Sequence, residues 1–193
     1  MTFGKDVWMV ENLRTKKYSD GTLISHGLYS PANSISNVPA YGYLYDWAAS
    51  IKQPPRYDSV MIDLSGQKVR GVCPTGWHLP TVEEWLDLIN LYGGMEIAGL
   101  KLKKPDETLW SAPFVYELPA SGFDIVPAGQ KILNDGYIST GFEAYYWTSS
   151  QAWTYGTTLM GRQIYFQNNK QEVSIQIFND PGSVGVSVRC VKD

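Results

Sequence analysis

The chain has 193 residues, close to the size of one domain, with 16 basic and 19 acidic residues and a net charge of −3. Charged residues make up 18%, below the usual quarter, while aromatics reach 13% with seven Trp and 13 Tyr, a composition that excludes intrinsic disorder. The charges form no basic stripe, so no nucleic-acid partner is expected, and the longest apolar runs fall far short of the roughly 18 residues of a membrane span.

In chain order, residues 7–13, with Val7, Trp8, Met9 and Leu13, read as a short strand. Asp20-Gly21 marks a turn, and residues 30–39 form a polar loop. Tyr41, Leu44, Tyr45 and Ala48 fall at i, i+3, i+4 and i+7, with Trp47 and Ile51 beside them; this predicts a short amphipathic helix over 41–51, ended by Pro54-Pro55. A long connection leads to residues 68–73, read as another strand. Thr81 followed by Glu84 is a capping box, Trp85, Leu88, Ile89 and Tyr92 make a buried stripe, and Gly93-Gly94 supplies the stop. A helix is expected over 82–92. From Leu100 onward no 3.6-residue period is sustained, and short runs over 122–126, 145–149, 162–167, 172–178 and 185–191 lie between recurring glycines. Val173, Ile175, Ile177 and Val184, Val186, Val188 alternate with other residues, as in an antiparallel sheet with one wet face. Two helices followed by short strands give an α+β class, rich in loops, as a single domain over 1–193.

The two cysteines, Cys73 and Cys190, would be free and structural in a cytosolic protein and one disulfide in an exported one. The disulfide is the expectation taken, with the chain exported and its signal segment removed. Such a bridge closes a long loop and is worth about 4.7 kcal/mol in the chain-entropy account. Only His26 and His78 could serve as imidazole ligands or bases, and no HExxH, CxxC, GxSxG or phosphate-loop spacing accompanies them. No catalytic residue, metal or cofactor is therefore expected, and the chain reads as a non-enzyme. His78, between Trp77 and Leu79 ahead of the helix cap, reads as a hydrogen-bonded structural histidine, and Glu83, Glu84 and Asp87 as helix-start and exposed-face residues.

Trp8, Trp47, Trp77, Trp85 and Trp147 lie in or beside apolar runs and read as core. Trp110 and Trp153 lie in polar or Gly-rich stretches, the latter within Gln151-Ala152-Trp153-Thr154-Tyr155-Gly156. Exposed Trp and Tyr give rigid contact area with a polar tip, suited to sugar faces or protein hot spots. Asn168-Asn169 reads as a hairpin tip, and Phe178-Asn179-Asp180-Pro181-Gly182 as a loop before the final strand. Amides and carboxylates there can bond hydroxyls or hold calcium, although plain turn chemistry also accounts for both.

Several segments resemble one known family. They are residues 4–13, ending Val7-Trp8-Met9-Val10-Glu11-Asn12-Leu13; Tyr41-Gly42-Tyr43-Leu44-Tyr45-Asp46-Trp47; and Val72-Cys73-Pro74-Thr75-Gly76-Trp77-His78-Leu79-Pro80-Thr81 with Glu84-Trp85. Ala98-Gly99-Leu100-Lys101-Leu102-Lys103, Gly122-Phe123 with Pro127-Ala128-Gly129, Tyr146-Trp147-Thr148-Ser149-Ser150 and Ser187-Val188-Arg189-Cys190-Val191 follow in order. Together they resemble the Fibrobacter succinogenes major paralogous domain, with departures in spacing over 54–67 and 104–118.

The resemblance implies a C-type-lectin-like fold, in which two helices flank a small twisted antiparallel sheet and the termini meet. It also implies an exported protein, often a lipoprotein, at a bacterial surface, with the membrane reached only through an anchor that has been removed. Calcium lectins of that fold carry a Glu-Pro-Asn or Gln-Pro-Asp loop with no counterpart here, Phe178-Asn179-Asp180 echoing only their second motif. Formylglycine-generating enzymes share the fold but need reactive cysteines or metal-binding histidines.

The function expected is a binding module, adhesin-like, that presents Trp153, Tyr155, Asn168, Asn169, Phe178, Asn179 and Asp180 to a cell-surface glycan or protein, with Trp110 a weaker candidate. The alternatives are a spacer or tip component of a surface or fimbrial assembly, and a retroelement-diversified variable protein. In the latter, Tyr145 and Tyr146 would join the displayed surface, and the setting could be a phage virion.

Overall fold

A computed structural model describes residues 1–54, 64, 66–152, 160–178 and 181–193. The N-terminal half contains β1 (Thr2–Phe3), β2 (Asp6–Val7), β3 (Leu28–Tyr29), α1 (Val38–Tyr41), β4 (Leu44–Asp46), α2 (Trp47–Ser50), β5 (Trp77–His78) and α3 (Val82–Leu91). After α4 (Gly99–Leu102) come β6 (Gln130–Ile132), β7 (Gly136–Ile138), β8 (Glu143–Ala152), β9 (Met160–Gln167), β10 (Val173–Phe178), β11 (Val184–Val186) and β12 (Val191–Lys192). The class is mixed α and β: mostly sheet, with a few short helices.

β8, β9 and β10 form an antiparallel sheet in the order β10-β9-β8, and a second sheet runs β3-β4-β11-β6-β7. They join where Trp147 N–H donates to Ser187 O and Ser187 N–H to Tyr145 O, each at 3.1 Å, so the sheet curls instead of ending at β8. Both faces of β8 are covered. Tyr145 and Trp147 enter one core with Tyr45, Trp47, Val184, Val186 and the cysteines. Ala144 and Tyr146 enter another with Trp8, Trp85, Leu88, Ile89, Phe123 and Phe166. This corrects the wet-face reading: consecutive residues Ala144, Tyr145, Tyr146 and Trp147 on β8 are all buried, and so is every residue over 184–188, where alternation was expected, the signature of strands covered on both sides. Tyr145 and Tyr146 are accordingly core residues and not part of a displayed surface. On β10 the alternation holds at Val173 but fades, leaving Ile177 55% exposed.

α3 follows its sequence closely. Thr81 Oγ1 accepts from Glu84 N–H at 3.1 Å, and Glu84 Oε2 accepts from Thr81 N–H at 2.8 Å, closing the capping box. The helix expected over 41–51 is instead broken into α1, β4 and α2. The cause is Gly42, at φ 77°, packed so closely on the N-terminal arm that a Cβ there would lie 2.6 Å from Asn12 Cβ. Asp46 then caps α2, accepting from Ala49 N–H at 2.6 Å, while β4 pairs with both β3 and β11. Residues 68–73 form turns around Val72 N–H···O Ser50 at 2.9 Å, not a strand. The 122–126 run also forms no strand, touching its neighbour through a single bridge, Lys103 with Ile125. The run over 7–13 lies in a strand only at Val7, the end of β2, and then follows the chain end, with Met9 N–H donating to Cys190 O at 3.0 Å and Leu13 N–H to Val188 O at 2.9 Å.

Cys73 and Cys190 are joined, 117 residues apart in sequence and 6.0 Å apart at Cα. β5 pairs with β12 beside them, so the central turn and the chain end are tied both covalently and by hydrogen bonds.

Candidate functional site

Of the expected contact residues, Trp153, Tyr155, Asn179 and Asp180 lie outside the described residues. Phe178 ends β10 half-buried, packed against the first core. Asn168 and Asn169 form the turn between β9 and β10, as the sequence suggests. Only Asn169 is exposed. Asn168 is a correction: it is 7% exposed, and its amide donates to Ser111 O at 2.8 Å, so it holds a loop instead of facing a partner.

The turn rests on a group that sequence reasoning missed. Lys103 follows α4 into the interior, where it is 1% exposed. Its ammonium donates to the carbonyls of Gln167 at 3.1 Å, Asn168 at 3.2 Å and Lys170 at 2.8 Å, using all three N–H bonds on one turn. The rings of Trp110 and Phe114 lie 5.6 and 5.3 Å from the same nitrogen. Carbonyl dipoles and ring faces thus replace the water that a buried cation loses. Burial still pushes the ammonium down to about 8, with the charge of Glu172 pulling the other way.

Trp110 corrects a second expectation. At 2% exposed it is not a contact residue but the foot of an aromatic ladder. Phe114 stacks on it at 5.4 Å with planes 7° apart, and Tyr116 stacks on Phe114 at 5.0 Å and 25°. Phe114 and Tyr116 are half-buried, so the ladder climbs from core to surface. Each pair of this kind contributes about 0.5–1.5 kcal/mol beyond its buried area. The loop is fastened to the turn by Val115 N–H···O Asn168 at 2.9 Å.

The rung next to the turn adds polar groups. Glu143 faces Gln167 across β8 and β9, and its carboxylate accepts from Tyr145 at 2.6 Å, Tyr165 at 2.5 Å and Gln167 at 3.2 Å. Burial opposes its charge, yet these bonds and one from Ser139 hold the carboxyl below the usual range. The result is a hydrogen-bonded rung at the base of the turn, whose tip, Asn169, is exposed.

Of the groups most able to do covalent or acid–base chemistry, the two cysteines and His78 are engaged in structure. Both cysteines are in the disulfide. His78, 2% exposed, has Nδ1 2.8 Å from Asp193 Oδ1 and Nε2 2.8 Å from Glu84 Oε1. The Glu84 bond, against the opposing effect of burial, holds the imidazole above its ordinary pKa. This is the structural histidine expected from sequence. His26 Nδ1 stands 3.7 Å from Asp46 Oδ2, beyond hydrogen-bond reach, and that carboxylate serves the α2 cap. Trp8, Trp47, Trp85 and Trp147 are buried as expected, while Trp77 is half-buried at the edge of the first core.

Among the described residues no group of three or more His, Cys, Asp or Glu side chains gathers as a metal site, and no helix is long and apolar enough to cross a membrane. No curated protein and no solved structure matches the chain. The family model of the Fibrobacter succinogenes major domain matches residues 1–192, so the chain belongs to that family.

Proposed function

We propose that the chain is an exported, non-enzymatic binding module of C-type-lectin-like fold. It presents the aromatic and amide face around Asn169 and Tyr116, in the manner of an adhesin, to a cell-surface glycan or protein. The observation that carries this reading is the pinned turn. A buried ammonium and a stacked ladder fix an exposed amide beside half-exposed rings, a rigid arrangement that lowers the ordering cost of binding. Half-exposed Tyr at the end of a rigid stack suits the C–H face of a sugar or a protein hot spot. The disulfide supports export, since such bonds persist in oxidising compartments.

The ladder belongs to the stretch over 104–118 that departs from the family's spacing, so the specificity proposed here is particular to this chain. Binding to a broad glycan array, run in calcium and again in chelator, tests the proposal. The expected result is a hit that persists in chelator and is lost in Tyr116→Ala. A blank glycan array, together with no binding to immobilised matrix proteins such as fibronectin and laminin, would contradict it and favour a spacer role.

A further inference from the structure

A second hollow lies away from the pinned turn, under the N-terminal arm. It encloses about 300 Å³, the lower end of the range for small-ligand sites. Its floor is built on Arg189, which is 1% exposed and carried by the last family motif. The guanidinium donates to Asn12 Oδ1 at 2.9 Å, to Phe123 O, and to Asp124 O at 2.6 Å, with the Phe123 and Tyr146 rings 4.6 and 5.4 Å away. Two successive carbonyls held in one fork fix Asp124 at φ 60°, a conformation uncommon for residues other than glycine. Asp124 lines the hollow, and its carboxylate has no hydrogen bond or ion pair among the described residues.

The rim carries the ion pairs Arg14–Glu11 and Lys104–Asp106, the second at 3.4 Å, between apolar stretches at Pro39 and Leu109. Three cations and three acids therefore line one small space. A ligand with net negative charge would meet Glu11, Asp106 and Asp124, and one with net positive charge would meet Arg14, Lys104 and Arg189. A neutral polyol avoids both conflicts, because each hydroxyl can donate to a carboxylate and accept from an ammonium or guanidinium. Its C–H face matches the apolar walls.

We propose that this hollow binds one ring of a neutral saccharide, with the Asp124 carboxylate as its unshared acceptor. The proposal adds a site to the glycan-binding reading above and shares its premise, but it stands on different residues. Saturation-transfer NMR with methyl glycosides of glucose, galactose, mannose and N-acetylglucosamine tests it, with glucuronate and glucosamine as charged comparisons. At least one neutral glycoside is expected to bind, and Asp124→Asn should weaken it about tenfold or more, since a charge-assisted acceptor is lost while Asn tolerates the same backbone conformation. Ala40→Trp, an exposed change at the wall, should abolish binding by filling the space. In a Tyr116→Ala, Asn169→Ala background, which silences the pinned turn, the binding that depends on Asp124 should remain. No transfer from any neutral glycoside, preference for a charged sugar, or loss in the Tyr116/Asn169 variant but not in Asp124→Asn would overturn the proposal. The last result would leave the pinned-turn site standing alone.

Discussion

Lys103 and Arg189 anchor two regions by the same device with different geometry. Both are buried cations, and among the described residues neither has a carboxylate bonded to it; backbone carbonyls and aromatic faces take that place. Burying a charge this way is costly unless every donor finds a partner. What it achieves in each region is the same: irregular backbone, whose carbonyls no neighbouring strand satisfies, becomes fixed. The ammonium is a point charge with three rotatable donors, matched to carbonyls converging from one turn. The guanidinium is a planar fork, matched to two successive carbonyls and one amide oxygen. The lesson is that each cation is suited to the shape of the backbone it holds.

The largest effect that would sharpen this contrast is removal of the disulfide. Cys190 adjoins Arg189, whereas no covalent tie lies near Lys103. Replacing Cys73 and Cys190 by serine should lower stability by about 4–5 kcal/mol in chemical denaturation. Native-state amide exchange should then rise more at 188–191 than at 167–170. Equal loosening would mean that the two regions are not held separately.

Next in size are the cations themselves. Lys103→Met takes the ammonium from three carbonyls, of which only that of Asn168 keeps another donor among the described residues, Val115 N–H, and should cost about 3 kcal/mol, with exchange rising at 167–170. Arg189→Met should cost a similar amount but loosen 123–124. The swaps Lys103→Arg and Arg189→Lys should rescue neither, because the fork and the point charge are not interchangeable. Full rescue by either swap would break the comparison.

A smaller difference is set by pH. The Lys103 ammonium, pushed down to about 8 in the folded chain, releases its proton before its unfolded counterpart does near 10.5. Between those values the unfolded chain binds more protons, so stability from this position rises with pH; below about 8 both states are charged and the slope vanishes. The stability gap between the native chain and Lys103→Met should therefore widen by about 2 kcal/mol from pH 8 to pH 9.5. Arg189→Met should show no such widening, since a guanidinium stays charged throughout that window. An unchanged Lys103 gap would show that the carbonyl cage offsets the burial.

Local chemistry was legible in the sequence. The Thr81/Glu84 box needs only residues three apart, and α3 formed as read. The disulfide was legible from compartment logic and the structural role of His78 from its setting, although the carboxylates on either side of its ring were not named. The 41–51 helix failed because a helical spacing of apolar residues coincided with a Gly42 that must sit against Asn12, a contact 30 residues away in sequence. Trp110 looked exposed because its neighbours are polar; its burial depends on Phe114 and on Lys103. The Lys103 cage was out of reach for the same reason, since its carbonyls lie 64 to 67 residues along the chain. The one available hint was Trp110, Phe114 and Tyr116 recurring within the loop of unusual spacing.

The smallest expected effect on stability belongs to the change that matters most for function. Tyr116 and Asn169 lie at the solvent end of what Lys103 holds, so Tyr116→Ala with Asn169→Ala should shift stability by no more than about 1 kcal/mol. The most direct measurement is a calorimetric titration of the strongest array ligand into the native chain and into this double variant, each first shown to be folded. The account predicts measurable affinity in the native chain and a loss of about tenfold or more in the variant. Equal affinities in the two would place the binding face elsewhere and contradict it.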